Sequence, residues 1–312
     1  MAYHYDTYRE ELGKAYPGFG HALWEPDPGE QSPPVGVGDV GFIREGRFHR
    51  LFNALLPADD PSHEFFGVPA DHEPLRLSMP NHINRGALAP NAFYSYGVTM
   101  VSGGFGVLAA TTMGSAEVSF SCTRKRGAVL SFPVVARRED TVSQDHFRKW
   151  IIRHIDSWLA FTQMHGLGTE MEDIILVTGC HHTRSWTNIA FNEVQAGAEL
   201  SLKVDVADAL GANVNWGVSN VRIHGTVHNQ GPSGENLPEN QCIFVRGFRV
   251  KRTLKLFPRV KGAAEPTPDP SGSDDEPETE VVSIPSFTKH RDPLHVLLEY
   301  IAEVHISLLE LS

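Results

Sequence analysis

The chain has 312 residues, of which 41% are apolar and 21% charged, a composition that excludes collagen-like, coiled-coil and wholly disordered proteins. Its formal charge of −11 disfavours a nucleic-acid partner, because a negative surface repels phosphate. The charge is uneven: residues 262–288 hold seven acidic residues and no Lys or Arg, so the remainder carries only −4.

The first residues carry neither a basic patch nor an apolar run, and no stretch of about 18 uncharged apolar residues occurs. We therefore expect a cytoplasmic protein without a secretory signal or a spanning helix. Three widely spaced cysteines, Cys122, Cys180 and Cys242, suit reduced thiols better than a disulfide framework.

In chain order, the sequence predicts a turn-rich N-terminal arm (residues 1–34), an α+β core domain (35–261), a disordered acidic linker (262–288) and a C-terminal amphipathic helix (289–312). The linker prediction depends on its prolines and acidic residues, since such a segment buries too little apolar surface to offset its ordering entropy.

Within the core domain, residues 39–52 are predicted to form a hairpin that turns at Glu45-Gly46. A helix is predicted at 143–165, where apolar side chains recur at helical spacing, and a continuous apolar run predicts a buried strand at 174–178. Further strands are predicted at 93–101, 107–112, 115–123 and 128–132, while 186–191 fits either a helix or a strand. The fold class is therefore α+β, a mainly antiparallel sheet with one long central helix.

Two later segments alternate between apolar and polar residues, at 198–206 and at 212–228, where the phase slips at Ser219-Asn220 as a β-bulge would require. Both are long enough to cross a bilayer, which takes about nine to eleven residues per strand. Any half-buried antiparallel sheet has the same alternation. The candidate membrane-inserting residues are Leu200, Leu202, Val204, Val206, Val214, Trp216 and Val218.

A basic stretch without acidic residues lies between Asn240 and Ala264, on a strand predicted at 241–254. Several cations near an anionic leaflet contribute about 1 kcal/mol each to membrane binding. A solvated strand face, partly neutralised by the acidic linker, is the alternative. The candidate lipid-binding residues are Arg246, Arg249, Lys251, Arg252, Lys255, Arg259 and Lys261, with Arg124, Lys125 and Arg126 at a predicted turn.

Beyond the linker, Asp292-Pro293 can begin a helix whose apolar residues include Leu294, Leu297, Leu298 and Ile301. The apolar face of this helix needs a surface to dock on. We expect these four residues to be autoinhibitory.

The sixteen histidines do not occur at the spacings of common metal motifs, so no metal or cofactor is predicted. Cys180 could act as a nucleophile with His181 or His182 as base and Asp156 as orienting group. The alternative is a small residue that packs at a strand end. We favour a non-enzymatic protein.

The order of these elements resembles that of gasdermin pore-forming domains. Those domains have an early hairpin, an amphipathic strand pair, a helix, a short apolar strand, a second amphipathic pair and a basic strand, followed by an inhibitory C-terminal part. The matching residues here are 39–52, 115–132, 143–165, 174–178, 198–228 and 241–254. The resemblance implies activation when proteolysis removes a short inhibitory tail, as in fungal gasdermins. The sequence also resembles proteins of mushroom-forming fungi, a likeness that implies no activity.

Three hypotheses follow. The first is an autoinhibited cytoplasmic protein that, once an activating protease removes its tail, binds anionic lipid, oligomerises and forms pores. The second is a non-enzymatic protein-binding module, and the third is a cysteine hydrolase centred on Cys180.

Overall fold

A computed structural model describes residues 3–30, 32–77, 82–102, 114–193, 198–206, 213–219, 226–253 and 278–284. Its fold is α+β, mostly antiparallel strands with two α-helices, α1 (His4–Ala15) and α2 (Gln144–Met164). The strands are β1 (His21–Ala22), β2 (Asp39–Arg44), β3 (Arg47–Asn53), β4 (Ile83–Leu88), β5 (Asn91–Tyr94), β6 (Val98–Ser102), β7 (Gly114–Cys122), β8 (Gly127–Phe132), β9 (Ala136–Thr141), β10 (Ile175–Thr183), β11 (Thr187–Phe191), β12 (Ala198–Val206), β13 (Asn213–Ser219), β14 (Thr226–Gln230), β15 (Gly234–Glu235), β16 (Gln241–Thr253) and β17 (Glu278–Ile284).

The main sheet is built on the antiparallel pair β10 and β16. Each of these strands has two neighbours along its outer edge. β10 pairs with β2 near its start and with β9 near its end, and β16 pairs with β1 in its first half and with β17 in its second. β3 and β4 extend the sheet beyond β2 and β9.

Helix α2 packs on one face of the main sheet. Its apolar stripe, which includes Phe147, Ile151 and Trp158, is buried against Phe52 and Phe248. The rings of Phe52 and Trp158 meet edge to face at 5.7 Å. Helical spacing of the apolar residues determines which face of α2 is buried.

The remaining nine described strands form a four-stranded sheet and a five-stranded sheet. We call β5, β8, β11 and β14 the root sheet, and β6, β7, β12 and β13 the extension sheet, whose outer strand β13 also pairs with β15. Both sheets have the same strand order, and each root strand continues along the chain into the corresponding extension strand. Two long hairpins, β5–β8 and β11–β14, therefore lie side by side.

Helix α1 packs against β8 and β11 of the root sheet and so contacts both long hairpins. It also contacts β1 of the main sheet. Tyr8 and Leu12, one turn apart on α1, are fully buried with Phe93 and Leu130. The Tyr8 hydroxyl donates a hydrogen bond of 2.7 Å to the side-chain oxygen of Asn188.

Many predicted elements are present. The hairpin at 39–52 appears as β2 and β3, with positive φ at Glu45 and Gly46 as a tight turn requires. Helix α2 lies at the predicted position, 186–191 contains strand β11, and β12 has the predicted bounds. The strand predicted at 107–112, the phase slip at residue 220 and the C-terminal helix lie outside the described residues.

Two predictions were wrong. The N-terminal arm contains a twelve-residue helix, α1, because Tyr8 and Leu12 find a buried surface on the root sheet. The linker is not disordered at Glu278–Ile284, which forms β17, because β16 supplies backbone hydrogen-bond partners and Ile284 becomes buried.

Candidate functional site

Backbone register places apolar residues opposite apolar ones throughout the extension sheet. Residues directly opposite each other in an antiparallel pair lie on the same face. The apolar rows are Val98, Cys122 and Ala198; Met100, Phe120 and Leu200; Val118, Leu202 and Val218; Ala116, Val204 and Trp216; and Gly114, Val206 and Val214. All seven candidate inserting residues are in these rows.

The opposite face of the extension sheet has polar or small residues at its register positions. Its rows are Thr99, Ser121 and Glu199; Ser119, Ser201 and Ser219; Glu117, Lys203 and Gly217; and Ser115, Asp205 and Asn215. The alternation seen in one strand of the sequence is thus matched in its neighbours, and the sheet has one apolar and one polar face.

Near the root sheet, the two faces differ in exposure. Val98, Phe120 and Cys122 on the apolar face are buried, whereas Thr99 on the polar face is exposed. At this end of the extension sheet, the apolar face points into the folded protein.

The candidate lipid-binding residue Arg246 is held inside the fold. Its guanidinium forms an ion pair with Asp140 on β9, and its Nε atom donates to Asp140 Oδ1 at 2.7 Å. Its Nη1 atom donates to the carbonyl of Phe19 at 3.0 Å, and only 17% of the side chain is exposed. Arg246 therefore joins β16, β9 and the N-terminal segment.

The other basic residues of β16 face β17 in the register. In the backbone register, Lys251, which is exposed, lies opposite Glu280, and Arg249 lies opposite Val282. Arg252 lies opposite Thr279. Lys255, Arg259 and Lys261 lie outside the described residues, as do Leu294, Leu297, Leu298 and Ile301. The acidic end of the linker thus lies directly alongside the basic strand.

The second basic cluster lies in the turn between β7 and β8. Arg124 and Lys125 are exposed there. Arg126 instead donates to Glu10 on α1 at 2.8 Å, with Glu11 within 3.8 Å. Arg126 therefore attaches α1 to the first hairpin, as Tyr8 attaches it to the second. This role of α1 could not be predicted from local patterns, because its partners are more than a hundred residues away in the chain.

Cys180 is separated from two of its predicted partners, Asp156 and His181. It is buried on the face of the main sheet opposite α2, the helix that carries Asp156. His181, its neighbour on β10, lies on the other side of the strand near Phe19 and Phe244. Burial raises the pKa of the Cys180 thiol well above its ordinary value of 9.

The same burial applies to the other two cysteines and leads to a labelling prediction. Burial raises the pKa of Cys122 to about 11 and that of Cys242 to about 12. Because thiolates react and buried thiols do not, we expect no rapid labelling of native protein by iodoacetamide near neutral pH, and labelling of all three thiols in concentrated guanidinium. Mass spectrometry of the peptides would measure this, and selective native labelling of Cys180 would instead favour the hydrolase hypothesis.

Among the described residues, no three His, Cys, Asp or Glu side chains come close enough together to hold a metal ion. Neither of the described α-helices has the length and apolar character needed to span a bilayer. No protein-family model matches the chain, and no curated protein matches it significantly.

Proposed function

We propose that the protein is an autoinhibited, membrane-targeting, pore-forming protein that is released when its C-terminal segment is lost. The observation that carries this proposal is the register of the extension sheet, which gives two adjacent hairpins one continuous apolar face and one continuous polar face. A membrane-crossing sheet needs an apolar face toward lipid and a polar face toward water.

Strand length supports the proposal. β7 and β12 each have nine residues and pair along their whole length, which is close to the span a tilted strand needs to cross the hydrocarbon layer. The backbone groups at the outer edges of the sheet must also pair inside a bilayer. Neighbouring copies of the protein can supply those partners, so insertion requires oligomerisation.

The arrangement of β17 supports an inhibitory role for the C-terminal segment. β17 covers the edge of β16, puts Glu280 opposite Lys251 and buries Ile284. While it stays paired, it occupies a strand edge and lowers the positive potential of the basic strand. Cutting the linker before residue 278 leaves β17 bound by its pairing alone, so activation needs both cleavage and dissociation of the tail.

Of the candidate lipid-binding side chains that the structure describes, Arg124, Lys125 and Lys251 are exposed and available for anionic lipid once the tail leaves. Arg249 is partly exposed and joins this set. Arg126 and Arg246 are engaged in ion pairs, and we assign them a structural role.

The test is dye release from anionic liposomes by protein with a protease site inserted between residues 262 and 277. We expect leakage only after cleavage, in step with dissociation of the tail measured by gel filtration. Leu202→Asp puts a charge in an apolar row and should abolish leakage without preventing liposome binding, because a charged side chain on the lipid face destabilises a membrane-spanning sheet.

Ser201→Asp is the matched control, since it introduces the same side chain at the adjacent position in a polar row. It should leak like the parent protein, and circular dichroism should verify that both variants are folded. Folded, cleaved protein that has lost its tail and still leaves liposomes intact would contradict the proposal. If that protein instead forms a stable complex in cell extract, the binding-module hypothesis is favoured.

A further inference from the structure

A cavity of about 410 Å³ lies between the start of α1, the segment after β1 and the turn that joins β2 to β3. The residues that line it are distant in sequence from the two long hairpins, β5–β8 and β11–β14, and from the basic strand β16. None of the residues that line it belongs to the lipid-binding or inserting sets described above.

The walls of this cavity are fixed by backbone contacts. The amide of Glu25 donates to the carbonyl of Gly46 at 3.1 Å, and Glu25 and Arg47 form a parallel β-bridge. Gly46 has φ of 82°, and a Cβ atom there would be 2.5 Å from that of Trp24. The turn is therefore packed directly on the aromatic wall, so the cavity is preformed.

One end of the cavity is aromatic and acidic. The ring of His4 lies 4.9 Å from that of Trp24 and 5.3 Å from that of Tyr5. The carboxylates of Glu25 and Glu45 line the same cavity. Aromatic rings combined with carboxylates favour a cation, and a quaternary ammonium suits them best because it needs no hydrogen-bond acceptor.

The other end is basic. Arg44, Arg47 and His49 project from the β2–β3 hairpin into the same cavity. The distance from Arg47 Nη2 to Glu25 Oε2 is 3.7 Å, longer than a hydrogen bond. Arg44 is held by a 2.6 Å hydrogen bond to the carbonyl of Leu167. Guanidinium groups favour phosphate, which they bind through paired hydrogen bonds.

The charges within the cavity are balanced, with Arg44 and Arg47 matched by Glu25 and Glu45, and Arg47 lies within ion-pair distance of Glu25. A simple anion or a simple cation would satisfy only half of this arrangement. We propose that the cavity binds phosphocholine, with the phosphate at Arg44 and Arg47 and the quaternary ammonium against Tyr5, His4 and Glu25. The same group is present free and in choline lipids. A lipid source depends on the proposed function above, whereas the binding site does not.

The test is calorimetric titration of the intact, uncleaved protein with soluble phosphocholine, choline chloride and inorganic phosphate. We expect phosphocholine to bind at least about tenfold more tightly than either half, because only it fills both ends of the cavity. Arg47→Ala should weaken phosphocholine binding by about tenfold or more through loss of a charge-assisted contact.

The matched control is Arg85→Ala, which removes an exposed arginine that also pairs with a glutamate, Glu139 on β9. It should bind phosphocholine like the parent. If Arg47→Ala does not fold, His49→Ala changes an exposed position of the same cavity and should also weaken binding. Absence of binding, equal affinity for phosphate and phosphocholine, or an equal effect of Arg85→Ala would overturn the proposal.

Flotation with vesicles of phosphatidylcholine separates the two sources. Binding to the vesicles that is lost in Arg47→Ala assigns the site to lipid. Binding of soluble phosphocholine without binding to the vesicles assigns it to the free ligand. These measurements require neither cleavage of the linker nor leakage of liposomes. The phosphocholine site can therefore be correct if the pore-forming proposal fails, and the pore-forming proposal can be correct if the site does not bind phosphocholine.

Discussion

Acidification from about pH 7 to about pH 5 should destabilise the folded protein by several kcal/mol. Burial, together with nearby arginines, lowers the pKa of His21 and of His181 to about 3 and that of His182 to about 4. In the unfolded chain, these imidazoles regain an ordinary pKa near 6.5. The unfolded state therefore binds more protons as the pH falls below about 6.5, and the free energy of unfolding decreases until the folded pKa values are reached.

The expected size follows from linkage. Each histidine contributes up to about 1.4 kcal/mol per pH unit, which is about 2 kcal/mol between pH 6.5 and pH 5. Three such groups give a loss of up to roughly 6 kcal/mol, a large share of a typical stability of 5–15 kcal/mol. Asp39 offsets roughly 1 kcal/mol of this loss by pH 5, because burial raises its pKa to about 6 and the folded state therefore binds that proton first. Urea unfolding followed by tryptophan fluorescence at a series of pH values measures it.

Glutamine variants test the assignment. His182→Gln should flatten the pH dependence of the urea midpoint by about a third, provided that it folds. The control is His228→Gln, at an exposed position of β14, which should leave the slope unchanged. A urea midpoint that does not change between neutral and mildly acidic pH would contradict the prediction.

Arg246→Ala should lower the free energy of unfolding by about 3 kcal/mol. Removal of the guanidinium leaves the Asp140 carboxylate, only 16% exposed, with Arg138 as its remaining cation, and leaves the Phe19 carbonyl without its donor. Loss of one partner of a largely buried ion pair typically costs about 3–5 kcal/mol, and the small remaining exposure of this pair favours the lower end. Chemical denaturation of the purified variant measures the loss.

Two variants make this prediction specific. Lys251→Ala removes an exposed cation from the same strand and should change the stability by less than about 0.5 kcal/mol. Arg246→Lys keeps the charge but not the planar set of donors, and should fall between the parent and Arg246→Ala. Equal stabilities of Arg246→Ala and Lys251→Ala would mean that Arg246 is a surface cation, as its sequence context first indicated.

Local patterns predicted those parts of the fold that local physics determines. The β2–β3 hairpin follows from its turn residues and β12 from strict alternation, since turn geometry and face selection act within a few residues. Helix α2 follows from a long helical stripe.

Elements that depend on distant partners could not be predicted in this way. β9 contains Arg137, Arg138, Glu139 and Asp140 and has no strand pattern, yet it is paired on both sides, by β4 and β10. β17 is similarly stabilised by β16. Pairing supplies the hydrogen bonds and burial that these segments lack in isolation.

The same distinction between local and distant determinants applies to the candidate site. The alternation of β12 was visible in the sequence, but its register with β7 and β13 depends on the tertiary fold. The engagement of Arg246, the contacts of α1 and the cavity beside Trp24 all join segments that are far apart in the chain. A count of charges by position cannot separate a paired arginine from a free one.

The contacts of α1 also determine when the protein can complete its fold during synthesis. Tyr8 leaves the ribosome early, but its hydrogen-bond partner Asn188 is 180 residues further along. At about 5–20 residues per second, translation separates the two by roughly ten to forty seconds. For that time Tyr8 and Leu12 lack the part of their apolar surroundings that later residues such as Trp186 and Ala190 supply. Helix α1 therefore cannot complete its docking until β11, which lies far along the chain, has been synthesised.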